Sequence, residues 1–258
     1  IVDDFNDMGE AFRPTSPREA ALLAVDQYNP DNRRQGITLL ANSNFGGLPE
    51  YLALYRDYIA EDRDPLVRAA AIKAVARFGV SDDAKLIAMW LSRTSTESVQ
   101  VRRAAATALQ RVHSKSVVPV LLRSLADSDE ESHVRSAVAT ALGQYPENQV
   151  FVGLIAALQS NDLSINKAAS ESLSTLTGQV FGTDWDAWYE WGQQVVDSNS
   201  ALFAAQSEFQ YPTYRYEKQW WDSVVFWNNK TNERPDIPIG LKEKTRKTTY
   251  ENEADTSK

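Results

Sequence analysis

The stretch DPLVRAAAIKAVARFG, residues 64–79, recurs along the chain at a regular interval. Its relatives are SVQVRRAAATALQRV (98–112), SHVRSAVATALGQY (132–145), LSINKAASESLSTLTG (163–178) and, less clearly, DNRRQGITLLAN (31–42). One polar residue marks the same position of each copy, here called the anchor: Arg33, Arg68, Arg102, Arg135 and Asn166. The anchors are 31 to 35 residues apart, and a large aliphatic residue follows each anchor by seven. A period of this length is typical of repeats built from two helices.

Each copy has the alanine-rich, amphipathic pattern of a helix, which we name the B helix. Between the copies lie further apolar-periodic segments, the A helices, at 17–28, 48–61, 82–93, 115–127 and 148–160. Short polar breaks separate them, with good helix N-cap residues at Asp64, Ser81, Ser114 and Asp162. No stretch alternates apolar and polar residues for long enough to predict a strand. The pattern therefore predicts five helical hairpins.

The copies resemble the short HEAT-like repeat of the phycobilisome-lyase type, marked by Asp-x-x-Val-Arg-x-x-Ala-x-x-Ala-Leu-Gly. The resemblance covers residues 30–178 and implies an all-α fold, a right-handed α-solenoid of about five hairpins. The first repeat has Asn32 where valine is expected, and the last has Asn166 in place of arginine. Terminal repeats are commonly irregular because one of their faces meets no neighbour.

The segment DWDAWYEWGQQVV (184–196) continues the helical pattern after the last repeat. Its tryptophans Trp185, Trp188 and Trp191 are three residues apart, which favours one helix face. We interpret this stripe as the cover of the last hairpin rather than as an aromatic ligand cage, since a solenoid end must be closed. The predicted organisation is an N-terminal extension (1–16), a solenoid (17–207) whose capping helix is 184–207, and an aromatic, then polar, extended tail (208–258).

The composition excludes several classes of protein. A net charge of −8 disfavours a nucleic-acid binder, including a DNA glycosylase built on HEAT-like repeats. The apolar runs are too short to predict a transmembrane segment. The absence of cysteine excludes disulfides and thiolate chemistry, and fits both the cytoplasm and a bacterial cell envelope. The chain starts at Ile1, which fits a processed product whose leader has been removed as well as part of a longer chain.

No motif in the chain predicts catalysis, a metal or a cofactor. The two histidines, His113 and His133, are not followed by glutamate and cannot supply the ligands of a di-iron centre. Neither a nucleophile elbow nor a glycine-rich phosphate loop is present, although a Ser-His-Asp triad stays open. The anchor arginines have two interpretations, as anion ligands or as structural partners of acidic caps in neighbouring repeats. We favour the second because a ligand site rarely recurs in every repeat.

The B helices present a candidate binding surface. Residues one, five and nine after each anchor are predicted to face outward, and they include six cations and one anion. These B-helix cations are Arg34, Lys73, Arg77, Arg103, Arg111 and Lys167. In an acidic chain, this mildly basic and concave face suits an acidic or extended peptide.

The tail carries a second candidate contact. Eight aromatic residues lie between 209 and 227, and the stretch after 228 is polar. The predicted partner-binding residues are Tyr214, Tyr216, Trp220, Trp221 and Trp227. Such clusters have the composition of a binding anchor. Packing of the tail on its own solenoid and packing on a partner chain are both left open.

The sequence thus predicts a non-enzymatic scaffold or an accessory subunit of a hetero-complex. It would bind protein partners through the concave B-helix face and the tail. The alternative, implied by the resemblance, is a lyase-like chaperone for a phycobilin or another pigment. Its ligand would lie near Tyr145, Trp90 or the tryptophan stripe.

Overall fold

The computed structural model describes residues 16–197, 210–214 and 237–246. Within these ranges the chain forms eleven α-helices and two short strands. The helices are α1 (Pro17–Ala24), α2 (Pro30–Ala41), α3 (Pro49–Glu61), α4 (Pro65–Phe78), α5 (Asp83–Ala88), α6 (Val99–Ala108), α7 (Val118–Ala126), α8 (Ser132–Leu142), α9 (Asn148–Ala157), α10 (Leu163–Thr177) and α11 (Trp185–Asp197). The strands are β1 (Gln210–Tyr214) and β2 (Lys242–Arg246), and short 3₁₀ turns follow α5 and precede α7.

The helix starts follow from local chemistry. The first four helices each begin with a proline, whose fixed φ suits the first turn and whose missing N–H costs no hydrogen bond there. The predicted caps Asp64 and Asp162 accept hydrogen bonds from backbone N–H groups of the first turn. The prediction is wrong for Ser81 and Ser114, whose side chains cap no helix; the carboxylate of Asp83 instead accepts from the N–H of Val80, at 2.8 Å.

The helices form two compact units, Ile1–Gly79 and Val80–Lys258, here unit 1 and unit 2. In unit 1, α1/α2 and α3/α4 are hairpins, and the B helices α2 and α4 pack on each other. Gly36 explains the tight α1/α2 pair. A Cβ there would lie 2.7 Å from the carbonyl oxygen of Ala20 and closer still to the backbone of Ala24.

Unit 2 contains the hairpins α5/α6, α7/α8 and α9/α10, followed by α11. The B helices lie side by side, with α8 between α6 and α10. Hydrogen bonds join them at their small-residue faces: Gln110 Nε2 donates to the carbonyl of Ala137 at 3.0 Å, and Ser172 Oγ to that of Ala139 at 2.8 Å. The large aliphatic residues predicted seven positions after the anchors are all fully buried: Leu40, Val75, Leu109, Leu142 and Leu173.

The tail contributes a feature that the sequence analysis missed. Strands β1 and β2 pair in parallel, with Gln210 opposite Lys242 and Tyr214 opposite Arg246. Just before β2, Ile239 forms an isolated parallel bridge with Val112, at the end of the α6 repeat. The paired residues are 32 positions apart in sequence, so no local alternation predicts the pairing. The sequence predicted no strand in this part of the tail, and the structure corrects that prediction while the fold class stays all-α.

The fold class is all-α, an α-solenoid of HEAT-like hairpins, as the repeats predict. Among the described residues, none of the helices has the length and apolar character needed to cross a bilayer.

Candidate functional site

The anchor side chains point inward and bind structural partners. Arg33 forms two hydrogen bonds with the carboxylate of Asp62, at 2.8 and 3.2 Å, and these bonds raise the pKa of Arg33. Arg102 binds Glu130 in the same two-pronged way, at 2.7 and 2.9 Å. Each acidic partner lies in the loop before the next B helix of the same unit. The arginine therefore ties one repeat to the next.

The other anchors replace the carboxylate by backbone carbonyls. Arg68 donates to the carbonyl oxygens of Ile59 and Asp62, and burial lowers the pKa of its guanidinium. Arg135 donates to the carbonyl of Leu125 at 3.0 Å. Asn166 binds the carbonyl of Ser160 at 3.0 Å. Arg33 and Arg102 also donate to carbonyls that precede their own B helix, Arg33 to that of Asp26 and Arg102 to those of Thr96 and Glu97. All five anchors thus satisfy carbonyls of the preceding helix or loop, which agrees with the structural interpretation.

The B-helix cations one and five positions after the anchors lie on the surface, as predicted. Arg34, Lys73, Arg103 and Lys167 are exposed, as is Arg77 at position nine of α4. Arg34 pairs with Asp31, three residues earlier in α2, at 3.0 Å. In the described part of the chain, no ion pair engages Lys73, Arg77, Arg103 or Lys167.

The rows predicted to face outward are only partly correct. In unit 2, the row nine residues after the anchors does not face outward, because Gln144 and Thr175 are buried, at 1% and 4% exposure. Gln144 binds the carbonyls of Leu109 and Ala141, so it holds α6 and α8 together. Ala69, at position one of α4, is buried as well. At Gln144 the error arises because a contact with the neighbouring repeat, which helical periodicity does not reveal, buries the side chain.

The backbone of Arg111, the remaining B-helix cation, contacts a part of the tail. It is half-buried and engaged in interactions. The N–H of Ile239 donates to its carbonyl oxygen at 2.6 Å, and the carbonyl of Ile239 accepts from the N–H of His113 at 3.1 Å. Residues 237–241, which we name the strap, therefore pack on the chain's own solenoid.

Of the aromatic tail residues predicted to bind a partner, the structure places Tyr214 alone. Tyr214 ends β1. Tyr216, Trp220, Trp221 and Trp227 lie outside the described residues. Their role stays a prediction.

The tryptophan stripe covers the last hairpin through one of its members. Trp188 is fully buried, meets Phe181 edge to face at 4.9 Å between ring centroids, and donates from Nε1 to the carbonyl of Gly182 at 2.9 Å. Trp191 is half-buried against Phe151. Trp185 is 39% exposed. The stripe thus covers the last hairpin through the buried ring of Trp188, which we call the plug, and leaves the ring of Trp185 exposed.

A groove between α9 and α11 was missed by the sequence analysis. Its volume is about 270 Å³, and Phe151, Val152, Ile155 and Tyr189 form much of its lining. Gly192 permits the close approach, since a Cβ there would lie 2.7 Å from the ring of Phe151. Val152 and Tyr189 are apolar residues that the structure leaves exposed on these two helices. Their apolar character is the feature of the sequence that could have indicated the groove.

The histidines occupy structural positions. His113 stacks on the ring of Tyr145, with centroids 4.7 Å apart, and its Nδ1 is 3.3 Å from Gln144 Oε1. Burial lowers the pKa of His113 and raises that of Tyr145 to about 12. His133 is exposed. Among the described residues, no three His, Asp or Glu side chains converge on a point where a metal could bind.

The similarity of this chain to known proteins concerns its fold. A family model of HEAT repeats matches residues 87–174, about a third of the chain. The matches support a HEAT-like repeat protein. The narrower phycobilisome-lyase type does not follow from them. The chain is also similar to the crystal structure of the Escherichia coli protein YibA, at 20% identity and a TM-score of 0.51, over 70% of this chain and 74% of that one. Identity this low concerns the fold alone, and no curated protein matches the chain.

Proposed function

We propose that this HEAT-like protein is a non-enzymatic scaffold or accessory subunit. It binds an acidic, extended segment of another protein through the exposed B-helix cations. HEAT repeats commonly serve as protein-interaction scaffolds, and repeat solenoids in general offer extended binding surfaces. The aromatic part of the tail supplies a second contact in the same proposal.

One observation carries the proposal: neighbouring arginines on one helix have opposite environments. Arg102 has a side chain that is 5% exposed and is held by Glu130. Arg103, the next residue of α6, is exposed and has no carboxylate partner in the described ranges. A protein that needed the charge only for stability would gain little from the second arginine, because exposed charges contribute little to folding.

The spacing of the cations sets the size of the ligand. Arg103 and Lys167 lie at the same repeat position of α6 and α10, with α8 between them. Neighbouring helices are about 8–10 Å apart, so the two charges are separated by about 16–20 Å. At about 3.3 Å per residue, an extended peptide of about six or seven residues covers this distance, and one of eight residues extends slightly beyond it. Carboxylates along such a peptide complement the cations in a chain of net charge −8.

The test uses a fluorescent eight-residue poly-glutamate peptide and the full chain. The double substitution Arg103→Gln/Lys167→Gln is expected to weaken binding about two- to thirtyfold, the range for two solvent-exposed ion pairs. Affinity should also fall with added salt, since exposed pairs are screened. Poly-glutamine of the same length should not bind.

The matched control is Lys85→Gln/Arg123→Gln. Both residues are exposed in unit 2 but lie on the A helices α5 and α7, and the control changes the net charge by the same amount. Its affinity should stay close to that of the unmodified chain. An equal loss in both double variants would mean that only net charge matters, and the proposed surface would be wrong.

The tail contact is tested separately on the full chain. Trp220→Ala/Trp221→Ala should reduce binding of the natural partner and leave the unfolding transition unchanged. A large fall in Tm would show instead that these rings stabilise the chain's own fold.

A further inference from the structure

The groove between α9 and α11 is bordered by apolar side chains that the fold leaves exposed. Val152 of α9 is 64% exposed, and Tyr189 and Trp185 of α11 are 51% and 39% exposed. The two rings lie one helical turn apart, with centroids separated by 6.4 Å, and Val152 and Tyr189 both line the groove. The exposed groups therefore form one apolar row, which is typical of an interaction site.

The sequence of α9 favours the same interpretation. Each of the other A helices, α1, α3, α5 and α7, contains at least one charged residue, whereas α9, NQVFVGLIAA, contains none. A surface helix usually has charged or polar residues on the face turned away from the core. An uncharged helix with an outward valine is suited to contact with another apolar group.

Charge selects the kind of partner. Asp186 and Glu190 directly follow the two exposed rings, so they lie on the neighbouring strip of the surface of α11. Both are exposed, and no ion pair within the described ranges engages them. Neither α9 nor α11 contains a lysine or an arginine. The groove is thus apolar with an acidic border, which complements a positively charged partner.

The dimensions of the groove limit the ligand. Its lining residues on α9 run from Asn148 to Ile155, about 10 Å along the helix axis. An extended peptide covers this length with about three residues. The volume of about 270 Å³ lies just below the range of small-molecule pockets, about 300–1,000 Å³, which favours one large side chain over a cofactor.

We propose that the α9/α11 groove binds a basic and apolar segment of a partner protein, with about three apolar residues between lysines or arginines. An aromatic side chain of this segment enters the groove beside Val152 and Tyr189, and the flanking cations pair with Asp186 and Glu190. The site goes beyond the proposed function and does not depend on it, because the B-helix cations are proposed to bind a segment of opposite charge.

The experiment uses the absence of cysteine from the chain. Val152→Cys places a single thiol at the groove, and Met89→Cys, at 62% exposure in the turn after α5, is the matched control. The probe is a seven-residue peptide with Leu-Trp-Leu between two pairs of lysines. A second peptide has three serines in place of Leu-Trp-Leu and the same charge. The rate of thiol modification by a maleimide is measured with and without each peptide.

The Leu-Trp-Leu peptide is expected to slow modification of Val152→Cys by about tenfold at a concentration of ten times Kd, because only the free fraction reacts. Modification of Met89→Cys should not change, and the serine peptide should protect neither thiol. In a binding assay with the dye-labelled peptide, Val152→Lys should weaken binding by about five- to thirtyfold, the range for loss of a central interface contact. Met89→Lys, which adds the same charge, should bind like the unmodified chain.

The acidic border is tested by Asp186→Asn/Glu190→Gln, which should weaken binding by about two- to thirtyfold, the range for two exposed ion pairs. The matched control is Glu97→Gln/Glu131→Gln, since both glutamates are exposed in unit 2 and lie outside α9 and α11. All the substituted side chains of this test are exposed, so Tm should change little in either variant.

The outcomes distinguish the possible occupants of the groove. Equal binding of the two peptides, or equal losses in the test and control variants, would overturn the proposal, because net charge alone would then explain binding. If Trp220→Ala/Trp221→Ala or dilution accelerates modification of Val152→Cys without peptide, the groove is already filled by the tail or by a second copy, and the proposal is wrong. The poly-glutamate assay of the B-helix cations is independent of these results.

Discussion

Replacing Arg102 by methionine is expected to destabilise unit 2 by about 3–5 kcal/mol, the cost of leaving one partner of a buried ion pair alone. Glu130 has a side chain that is 2% exposed. Without the arginine, the one remaining donor to its carboxylate among the described residues is the N–H of Glu131, at 2.8 Å. The carbonyls of Thr96 and Glu97, each 3.0 Å from Arg102 Nη1, also lose a donor.

The assay is urea unfolding of the full chain, with calorimetry as a second readout. At about 2–4 °C per kcal/mol for domains of 150–250 residues, Tm should fall by about 6–20 °C. Arg103→Met provides the matched control, because the neighbouring side chain is exposed and its loss should stay within about 0.5 kcal/mol.

The double variant Arg102→Met/Glu130→Leu tests the stated cause. Removing both charges eliminates the uncompensated carboxylate, so most of the lost stability should return. Equal, small losses for Arg102→Met and Arg103→Met would refute the reasoning. A double variant as unstable as Arg102→Met would show that packing of the arginine stem, rather than the charge of Glu130, determines the loss.

Trp188→Ala should cost about 3–5 kcal/mol in urea unfolding because the ring is fully buried, whereas Trp185→Ala, at 39% exposure, should cost far less; similar losses would contradict the plug. Gly36→Ala should separate α1 from α2 at a cost of about 1–3 kcal/mol, which limited proteolysis near residue 25 would detect; an unchanged cleavage pattern would argue against the close approach. Because the pKa of Tyr145 is raised to about 12, the folded state keeps the phenol proton while the unfolded chain loses it near pH 10. Stability should therefore fall as pH rises from 10 to 12, and Tyr145→Phe should reduce that slope; an unchanged slope would exclude this origin. Burial lowers the pKa of His113, so the stabilisation that its neutral ring provides should be present above pH 6.5 and lost as pH falls. If His113→Asn loses stability at acidic pH as steeply as the unmodified chain, this explanation is wrong.

The repeat period made most of the helical architecture predictable. A two-helix unit buries its apolar stripe only against neighbouring units, so the anchor and the aliphatic residue seven positions later must recur. Arg102 and Leu109 illustrate this: both were assigned structural places from spacing, and both are buried. The exposure of Arg103 and Lys167 was predicted in the same way, because each residue follows its anchor by one position on the helix.

The failures have a common cause in contacts between distant segments. The third outward row failed at Gln144 because its amide binds the carbonyl of Leu109 in the neighbouring repeat. The pairing of β1 with β2 joins residues 32 positions apart, and the bridge of Ile239 to Val112 joins residues 127 positions apart. The α9/α11 groove depends on how two helices approach at Gly192. None of these pairings leaves a local period in the sequence.

The sequence by itself determined that this protein is a chain of helical hairpins with one arginine turned inward and another, one residue later, turned outward. Helical periodicity is local, and the side of a helix on which a residue lies follows from its number alone. Only the tertiary structure decided which acidic group meets Arg102 and which backbone groups bind the strap. Those outcomes depend on which distant backbone groups come within hydrogen-bonding distance, and the free energy of such contacts belongs to the assembled fold rather than to any single segment.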